Sequence, residues 1–530
     1  MPYDLHDHLG ALEKHGLLRH VEAEVDKNWE LSAIARWVYL GHNEERRYAL
    51  QFDKVKGFDI PVVIGAIGAS YKSYAVALGV NPDQPRQAVM AEIRQHFNRA
   101  LDKPLDPVMV DSGRCKDRME KGRDINIHKF PIPVWTPEKD CGAAEGFGFI
   151  TSAYCVSKDP DTGIRNVGTY RMMLRPEPNE TGMGVAFGND LWHHIQKNEI
   201  RNQATEVAAV IGADPAIGMV STTELPYGVD EFTVASALRS EPIPLVKCDT
   251  VDLEVPADAD LVIEGRLPPK SERPYEPEAP FGEYTGYQGS GKLSPVFEIS
   301  CITYRSDCVL QGFISQMPPS ESSKLRQIAY EAMVLKHLQN LGYQGIVDLH
   351  MPESAQAGVT VVSIRKSDDG QPARIASAIF SLLQPRWGKF VIVTDDDVDI
   401  YDLGNLLWAM TFRTSLAPER TRIHFLDGMI AQVLDYSAAN SIEDLKRRWD
   451  WPSRCVLIDA TRPYKPYPVT SLPPPRYLEA ALKSWDRYGL PELDRKELPR
   501  SVVVEEEYLK QGIAAPPAFL PRASEEKKGD

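Results

Sequence analysis

The chain has 530 residues, with 60 Lys and Arg against 75 Asp and Glu, a formal net charge of −15. That balance argues against nucleic acid or an anionic membrane as the main partner, because both demand basic patches. The lack of any run of about 18 apolar residues argues against a transmembrane helix.

With 43% hydrophobic and 25% charged residues, the composition is that of a globular chain of roughly two to four domains. The N-terminus, MPYDLHDHLGALEKHG, is polar and lacks the charged-then-apolar layout of a signal peptide. The cysteines are Cys115, Cys141, Cys155, Cys248, Cys301, Cys308 and Cys455. They are odd in number and form no C-x-x-C pair, which predicts a reduced, cytoplasmic protein without a zinc ribbon or disulfide framework.

Residues 1–110 predict a mixed α/β region. Leu5, Leu9 and Leu12 recur at helical spacing, 47–55 and 61–68 look like strands, and 81–101 looks like a helix with Pro85 near its first turn. From 111 to 318 strand-like pieces dominate: 148–157, 165–174, 206–212, 244–255, 261–267 and 298–305. Turn residues separate them, so a barrel or rolled sheet is expected. A short helix at 230–240 interrupts them, with Asp230 as N-cap.

Residues 319–461 alternate strands (359–366, 389–395, 422–426, 454–459) with helices (373–383, 403–412), the pattern of a layered α/β domain. A Pro-rich linker fills 462–475. An amphipathic helix follows with Leu478, Ala481, Leu482 and Trp485 on one face, expected to dock on a partner, and the last eight residues are expected to be disordered.

Four segments could carry chemistry: RNVGTYR (165–171), LWHHIQ (191–196), PYGVDEFTVASALRSEP (226–242) and EPEAPFGEYTGY (276–287). A carboxylate, an imidazole and an amide carbonyl can jointly hold Mg²⁺ or Mn²⁺. Arg171 offers a planar fork for a carboxylate or phosphate, and a carboxylate in a loop stiffened by Pro280 can move a proton. Each feature also has an ordinary structural explanation. These are an ion pair for Arg171, a core-edge pair for His193 and His194, the helix dipole for Glu231 and a turn for EAPFGE. In TDDDVDIYD (394–402), Asp395, Asp397 and Asp399 mimic a calcium loop, but Ile400 and Leu406 stand where Gly and Glu are required, which leaves a strand end and a helix N-cap at Asp402.

In order, NVGTYR, HHI, PYGVDEF, VKCDTVDLEVPADADLVIEGRL and EPEAPFGEYTGY resemble the UbiD family of prenylated-flavin-dependent decarboxylases, of which ferulic acid decarboxylase is a member. The likeness is densest over 142–321 and resumes at 389–413.

The resemblance implies a mixed α/β fold of four parts. These are an N-terminal α/β region (1–110), a central split β-barrel that binds prenylated FMN (111–318), a C-terminal α/β oligomerisation domain (319–461), and a linker, docking helix and tail (462–530). It implies an active site between the central and C-terminal domains. Metal ligands would be Asn166, His194 and Glu231, with His193 the alternative to His194 because the length of 176–190 varies in the family. The metal would be Mn²⁺ or Mg²⁺, with K⁺ a further candidate cation.

Flavin contacts would come from Asn166, Val167, Gly168, Thr169, Tyr170, Arg171, His193, His194, Glu231 and Lys389, the last on the phosphate. Arg171 would hold the substrate carboxylate, Glu278 would orient Arg171, and Glu283 would be the acid/base. Asn166 and Arg171 are five apart and would point to opposite faces of a regular strand, so either a bulge or twist, for which Gly168 is well placed, or cofactor contact with both the strand and its end is expected. The implied reaction is reversible decarboxylation of an aromatic or α,β-unsaturated acid, free or as an aromatic acyl-CoA. CO₂ would be co-product, a flavin prenyltransferase would supply the cofactor, and the protein would form a homodimer or homohexamer. An inactive flavin-binding or cofactor-handling scaffold and a flavin reductase are the competing classes. Joint retention of Arg171, Glu278 and Glu283 favours the decarboxylase.

Overall fold

The computed structural model describes residues 3–140, 148–186, 188–289, 291–383, 388–428, 453–493 and 496–515. Cys141 and the C-terminal eight residues lie outside them. The chain forms two compact units, residues 1–333 and 334–530.

The first unit starts with a helix, Leu5–Lys14, whose Leu5, Leu9 and Leu12 are buried, as their spacing requires. A four-stranded sheet follows in the order Leu18–Val25, Ala49–Val55, Val62–Ile64, Leu310–Gly312. Its last strand arrives from beyond the central segment and pairs in parallel with Val62–Ile64, so the first 110 residues do not complete a sheet alone. Pro85, with φ −52°, is the cap residue ahead of the Arg86–Asp102 helix.

The central sheet has nine strands. Eight lie in the order Phe149–Ile150, Met172–Leu174, Glu180–Met183, Val296–Tyr304, Leu261–Leu267, Thr205–Ile211, Tyr154–Lys158, Arg165–Thr169, and Arg118–Lys121 pairs with Val296–Tyr304. The expected strands 148–157 and 165–174 are each broken in two, at 151–153 and at Tyr170–Arg171. These breaks force the sheet to curl. On a flat path the Phe149–Ile150 and Tyr154–Lys158 strands would lie six spacings apart, about 29 Å. The chain from Ile150 to Tyr154 can span only about 14 Å. The same conflict holds between Arg165–Thr169 and Met172–Leu174. Both are resolved only if the ends meet, and Tyr170 N–H donates to Ala153 O at 3.2 Å from one junction to the other. Among the described residues no ladder pairs the two end strands, so the expected barrel is present and is split there.

The expected strand 244–255 is a hairpin of Pro244–Lys247 and Glu254–Pro256. Its turn is held by the buried Glu264 carboxylate, which accepts the Asp249 and Thr250 N–H groups at 2.9 and 2.7 Å. The expected helix at 230–240 is observed as Glu231–Arg239, capped by Asp230, which accepts the Phe232 N–H at 3.0 Å.

The second unit is a five-stranded sheet in the order Ile346–His350, Val359–Ile364, Phe390–Asp395, Ser453–Ala460, Ile423–Gly428. Helices Gln371–Leu383 and Leu403–Arg413 accompany it. The aspartates of 394–402 serve this unit's structure. Asp397 takes both Nη atoms of Arg413 at 2.8 and 2.7 Å, and Asp402 caps the Leu403–Arg413 helix through the Asn405 N–H. The expected C-terminal helix is Pro475–Lys483. It ends before Trp485, which lies in a following 3₁₀ turn, and none of its residues is buried. Among the described residues no helix is long and apolar enough to cross a membrane.

Candidate active site

Two groups of side chains gather around the strand Arg165–Thr169 and the break at Tyr170–Arg171 that follows it. The first surrounds Asn166. Arg165–Thr169 pairs in unbroken register with Tyr154–Lys158, setting Asn166 opposite Ser157 and Val167 opposite Val156. Ser157 Oγ lies 2.9 Å from His194 Nδ1, and the Val167 N–H donates to Glu231 Oε2 at 2.7 Å. Three elements therefore converge: the strand, the Asp190–Ile200 helix carrying His194, and the first turn of the Glu231–Arg239 helix.

The electrostatics of this group suit a cation. Glu231 is buried and pairs with no Lys or Arg among the described residues, so burial pushes its carboxyl up to about 8. Burial lowers His194 to about 4, which keeps the imidazole neutral, the form that binds a metal. With Nδ1–H donating to Ser157, the Nε2 lone pair is free to coordinate. Among the described residues the buried Asn166 Nδ2 has no hydrogen-bond partner. A half-turn of that amide puts its carbonyl oxygen where a cation could take it. His193 is half-buried and packs edge-on against Trp192 and Tyr227. Among the described residues no three His, Cys, Asp or Glu side chains gather as a metal-holding cluster; this set has only two of those types plus an amide.

The second group lies where the strand breaks. Arg171 Nε and Nη2 donate to Glu278 Oε1 and Oε2 at 2.7 and 3.1 Å, and Nη1 donates to Glu283 Oε1 at 3.0 Å. The guanidinium lies 5.3 Å from the centre of the Phe281 ring. Glu278 has no exposed side-chain area, while Arg171 and Glu283 keep 21% and 25%. One carboxylate is thus a buried anchor and the other faces accessible space. Arg171 stays cationic, with Glu278 and Glu283 offsetting the cost of burial.

Of the two expected arrangements, a bulge at Gly168 is not the one observed. The ladder is regular through Thr169, and the chain leaves it at Tyr170–Arg171. Gly168 instead makes room, since a Cβ there would lie 2.7 Å from the Tyr170 ring. Thr169 is tied to Ser221 by a backbone bond of 3.0 Å and a hydroxyl contact of 2.8 Å. Lys389 belongs to the second unit, just before the Phe390–Asp395 strand.

Sequence reasoning passes over Ser157, Gly184 and Gly289. Ser157 is recognisable only once the register sets it opposite Asn166. A Cβ at Gly184 would lie 2.8 Å from Glu278 Oε1 and from Arg171 Cγ, and one at Gly289 would lie 3.0 Å from Glu283 Oε1. The glycines flanking these segments were the available hint of close approach.

The family models for the N-terminal, Rift-related and C-terminal domains of 3-octaprenyl-4-hydroxybenzoate carboxy-lyase match residues 9–93, 108–318 and 324–460. The chain belongs to the UbiD family. Its members are carboxy-lyases, so both the resemblance and the enzyme class hold. An uncharacterized protein of Archaeoglobus fulgidus is 33% identical over 425 residues, covering 77% of this chain and 84% of its own. The UbiD-class enzyme HmfF of Pelotomaculum thermopropionicum, in an evolved dimeric form in complex with prFMN, is 30% identical. It covers 89% of this chain and 97% of its own with a TM-score of 0.74. Vanillic acid decarboxylase of Sedimentibacter hydroxybenzoicus in its closed form is 25% identical, covering 96% and 99% with a TM-score of 0.75.

Proposed function

We propose that this UbiD-family chain is a prenylated-FMN-dependent enzyme that removes CO₂, reversibly and without oxidation, from an aromatic or α,β-unsaturated carboxylic acid. The observation that carries the reading is the Glu278–Arg171–Glu283 arrangement, a charged fork pinned on its buried side and offered to a ligand on its open side. Asn166, His194 and Glu231 would hold Mn²⁺ or Mg²⁺ against the cofactor phosphate. When bound, the cofactor supplies the electron sink for the pair released from the carbon–carboxylate bond.

The chain's own residues do the rest. Arg171 holds the substrate carboxylate through the guanidinium edge that Glu283 occupies here. Glu283, beside that edge, would deliver the proton to the carbon from which CO₂ leaves. Atoms balance as carboxylate plus one proton giving CO₂ and a carbon–hydrogen bond.

The same reading makes a flavin prenyltransferase the cofactor's supplier and the cytoplasm the site of action. It also makes a homodimer or homohexamer the working form. The exposed Leu403, Leu407, Phe412 and Phe425 of the second unit support that assembly. A scaffold or a flavin reductase would need no carboxylate fork.

The test is Glu283→Gln in protein co-expressed with a flavin prenyltransferase, supplied with cinnamate, 4-hydroxybenzoate, vanillate and furan-2-carboxylate in D₂O. Wild type should release CO₂ and place deuterium at the former carboxyl carbon. Glu283→Gln should keep its cofactor and lose at least about 10²-fold in rate. Wild-type turnover and deuterium uptake in that variant would refute the assignment.

A further inference from the structure

Glu283 is an acid on a loop, and a loop must be held for its carboxyl to meet a reacting carbon. The loop's two strands close on each other. Gly289 N–H donates to Phe281 O at 2.9 Å, Glu283 N–H to Tyr287 O at 2.9 Å, and Gly282 and Gln288 are antiparallel bridge partners.

The outgoing side is wedged by packing. The Phe281 ring lies 4.6 Å from that of Phe149, and Gly282 is so close to its surroundings that a Cβ would lie 3.1 Å from Ser315 O and 3.3 Å from Thr136 Oγ1. The returning side is tied by a side chain. Gln288 Nε2 donates to Asp140 Oδ1 at 2.9 Å and reaches Lys139 O at 3.4 Å. Asp140 is buried and is itself locked in a turn, its Oδ2 accepting the Thr136 N–H at 2.7 Å while its own N–H donates to Thr136 O at 3.0 Å. Thr136 is also one of the residues, with Ser315, that crowd the position of a Cβ at Gly282. The contacts thus run Gln288 to Asp140, to Thr136, to Gly282 and back across the bridge to Gln288. The closed circuit surrounds the backbone of Glu283, whose carboxyl is otherwise held by one bond to Arg171.

We propose that Gln288 and Asp140 form a latch that positions the Glu283 carboxyl over the reacting carbon, acting through the loop rather than touching substrate. The inference rests on Glu283 being the acid. The latch should govern the rate of proton delivery more than substrate or cofactor binding, because the Arg171–Glu278 anchor lies on other elements. A displacement of the order of 1 Å at a reacting group costs up to about 10²-fold.

The experiment compares wild type, Gln288→Ala, Gln288→Glu, the exchange Asp140→Asn with Gln288→Glu, and Glu283→Gln. All are prepared as full-length protein with a flavin prenyltransferase and supplied with the same four acids. Gln288→Ala should lower kcat by about 10- to 100-fold while KM and cofactor absorbance change less than about threefold. Gln288→Glu, which opposes two carboxylates, should be at least as slow. The exchange re-creates the hydrogen bond with donor and acceptor reversed and should return kcat to within about threefold of wild type. Hydrogen exchange gives a reading that needs no substrate: amides of 281–289 should lose protection in Gln288→Ala and regain it in the exchange. Unchanged protection there, or wild-type kcat in Gln288→Ala beside a dead Glu283→Gln, overturns the latch alone. Full activity in Glu283→Gln overturns the acid assignment and the latch with it.

Discussion

Replacing Glu278 by Gln tests whether the Arg171 fork is set by its buried partner. Glu278 has no exposed side-chain area, and both its oxygens accept from Arg171. Gln keeps the shape but turns one acceptor into an NH₂ facing a guanidinium N–H. Losing a hydrogen bond to a charged group costs about 1.5–3 kcal/mol, and breaking a buried pair about 3–5 kcal/mol. Because Glu283 still balances part of the charge, the lower end of that second range, about 3 kcal/mol, is expected. Gly184 lies close beside both side chains, since a Cβ there would be 2.8 Å from each, which limits how far the residue at 278 can swing away on that side. The freed fork should instead draw Glu283 into a two-bond grip, removing both the acid and the carboxylate site.

The assay pairs Glu278→Gln with Glu276→Gln. Glu276 lies on the same strand and pairs with Arg175 and Arg273, outside the trio. Both variants should lower the melting temperature of the first unit by a few degrees. Only Glu278→Gln should lower kcat/KM, by at least about 10²-fold, with cofactor content unchanged. Equal kcat/KM in the two variants, at equal loss of stability, would mean that the Glu278 pair is structural and the reasoning fails.

Elemental analysis of cofactor-loaded protein should show the divalent cation lost in His194→Ala and Glu231→Gln but largely kept in His193→Ala; the reverse ranking of the histidines would shift the ligand by one position. Gly168→Ala should cost about 1–3 kcal/mol in denaturant unfolding and lower activity through Tyr170, whereas Gly10→Ala, with nothing within 4 Å of the added methyl, should be neutral or slightly stabilising. His8 is buried with Nε2 2.7 Å from Ala66 O, and burial lowers it to about 4. Between pH 6.5 and 4 the unfolded chain takes up a proton that the folded chain refuses, so stability is full above 6.5 and is lost as pH falls. The loss approaches about 3 kcal/mol. His8→Gln should remove about one proton from the pH slope of unfolding in that window, and an unchanged slope would show that His8 is protonated in the fold.

What could be read from the residues divides along a physical line. Local chemistry was legible: Asp230 reads as a cap because a short acceptor precedes a helical run, and Asp402 does so for the same reason. The failed calcium loop was legible too, because two residue types rule it out and Arg413 supplies the counter-charge. The closure of the barrel was not legible. The breaks at Thr151–Ala153 and Tyr170–Arg171 contain neither Gly nor Pro, so nothing local stops the strand, and each segment reads as one strand. The chain leaves the ladder there because strands distant in sequence compete for it. Phe149–Ile150 pairs with Met172–Leu174, while Tyr154–Lys158 pairs with Arg165–Thr169 and Thr205–Ile211.

This non-local competition also bears on the site. A continuous strand would alternate Asn166 and Arg171 to opposite faces. Breaking it after Thr169 frees Arg171 from that alternation and turns it toward Glu278 and Glu283, while Asn166 stays in the ladder opposite Ser157. The split that leaves the two end strands unpaired is therefore what lets five residues of sequence separate Asn166, in the ladder opposite Ser157, from Arg171, hydrogen-bonded to Glu278 and Glu283 outside it.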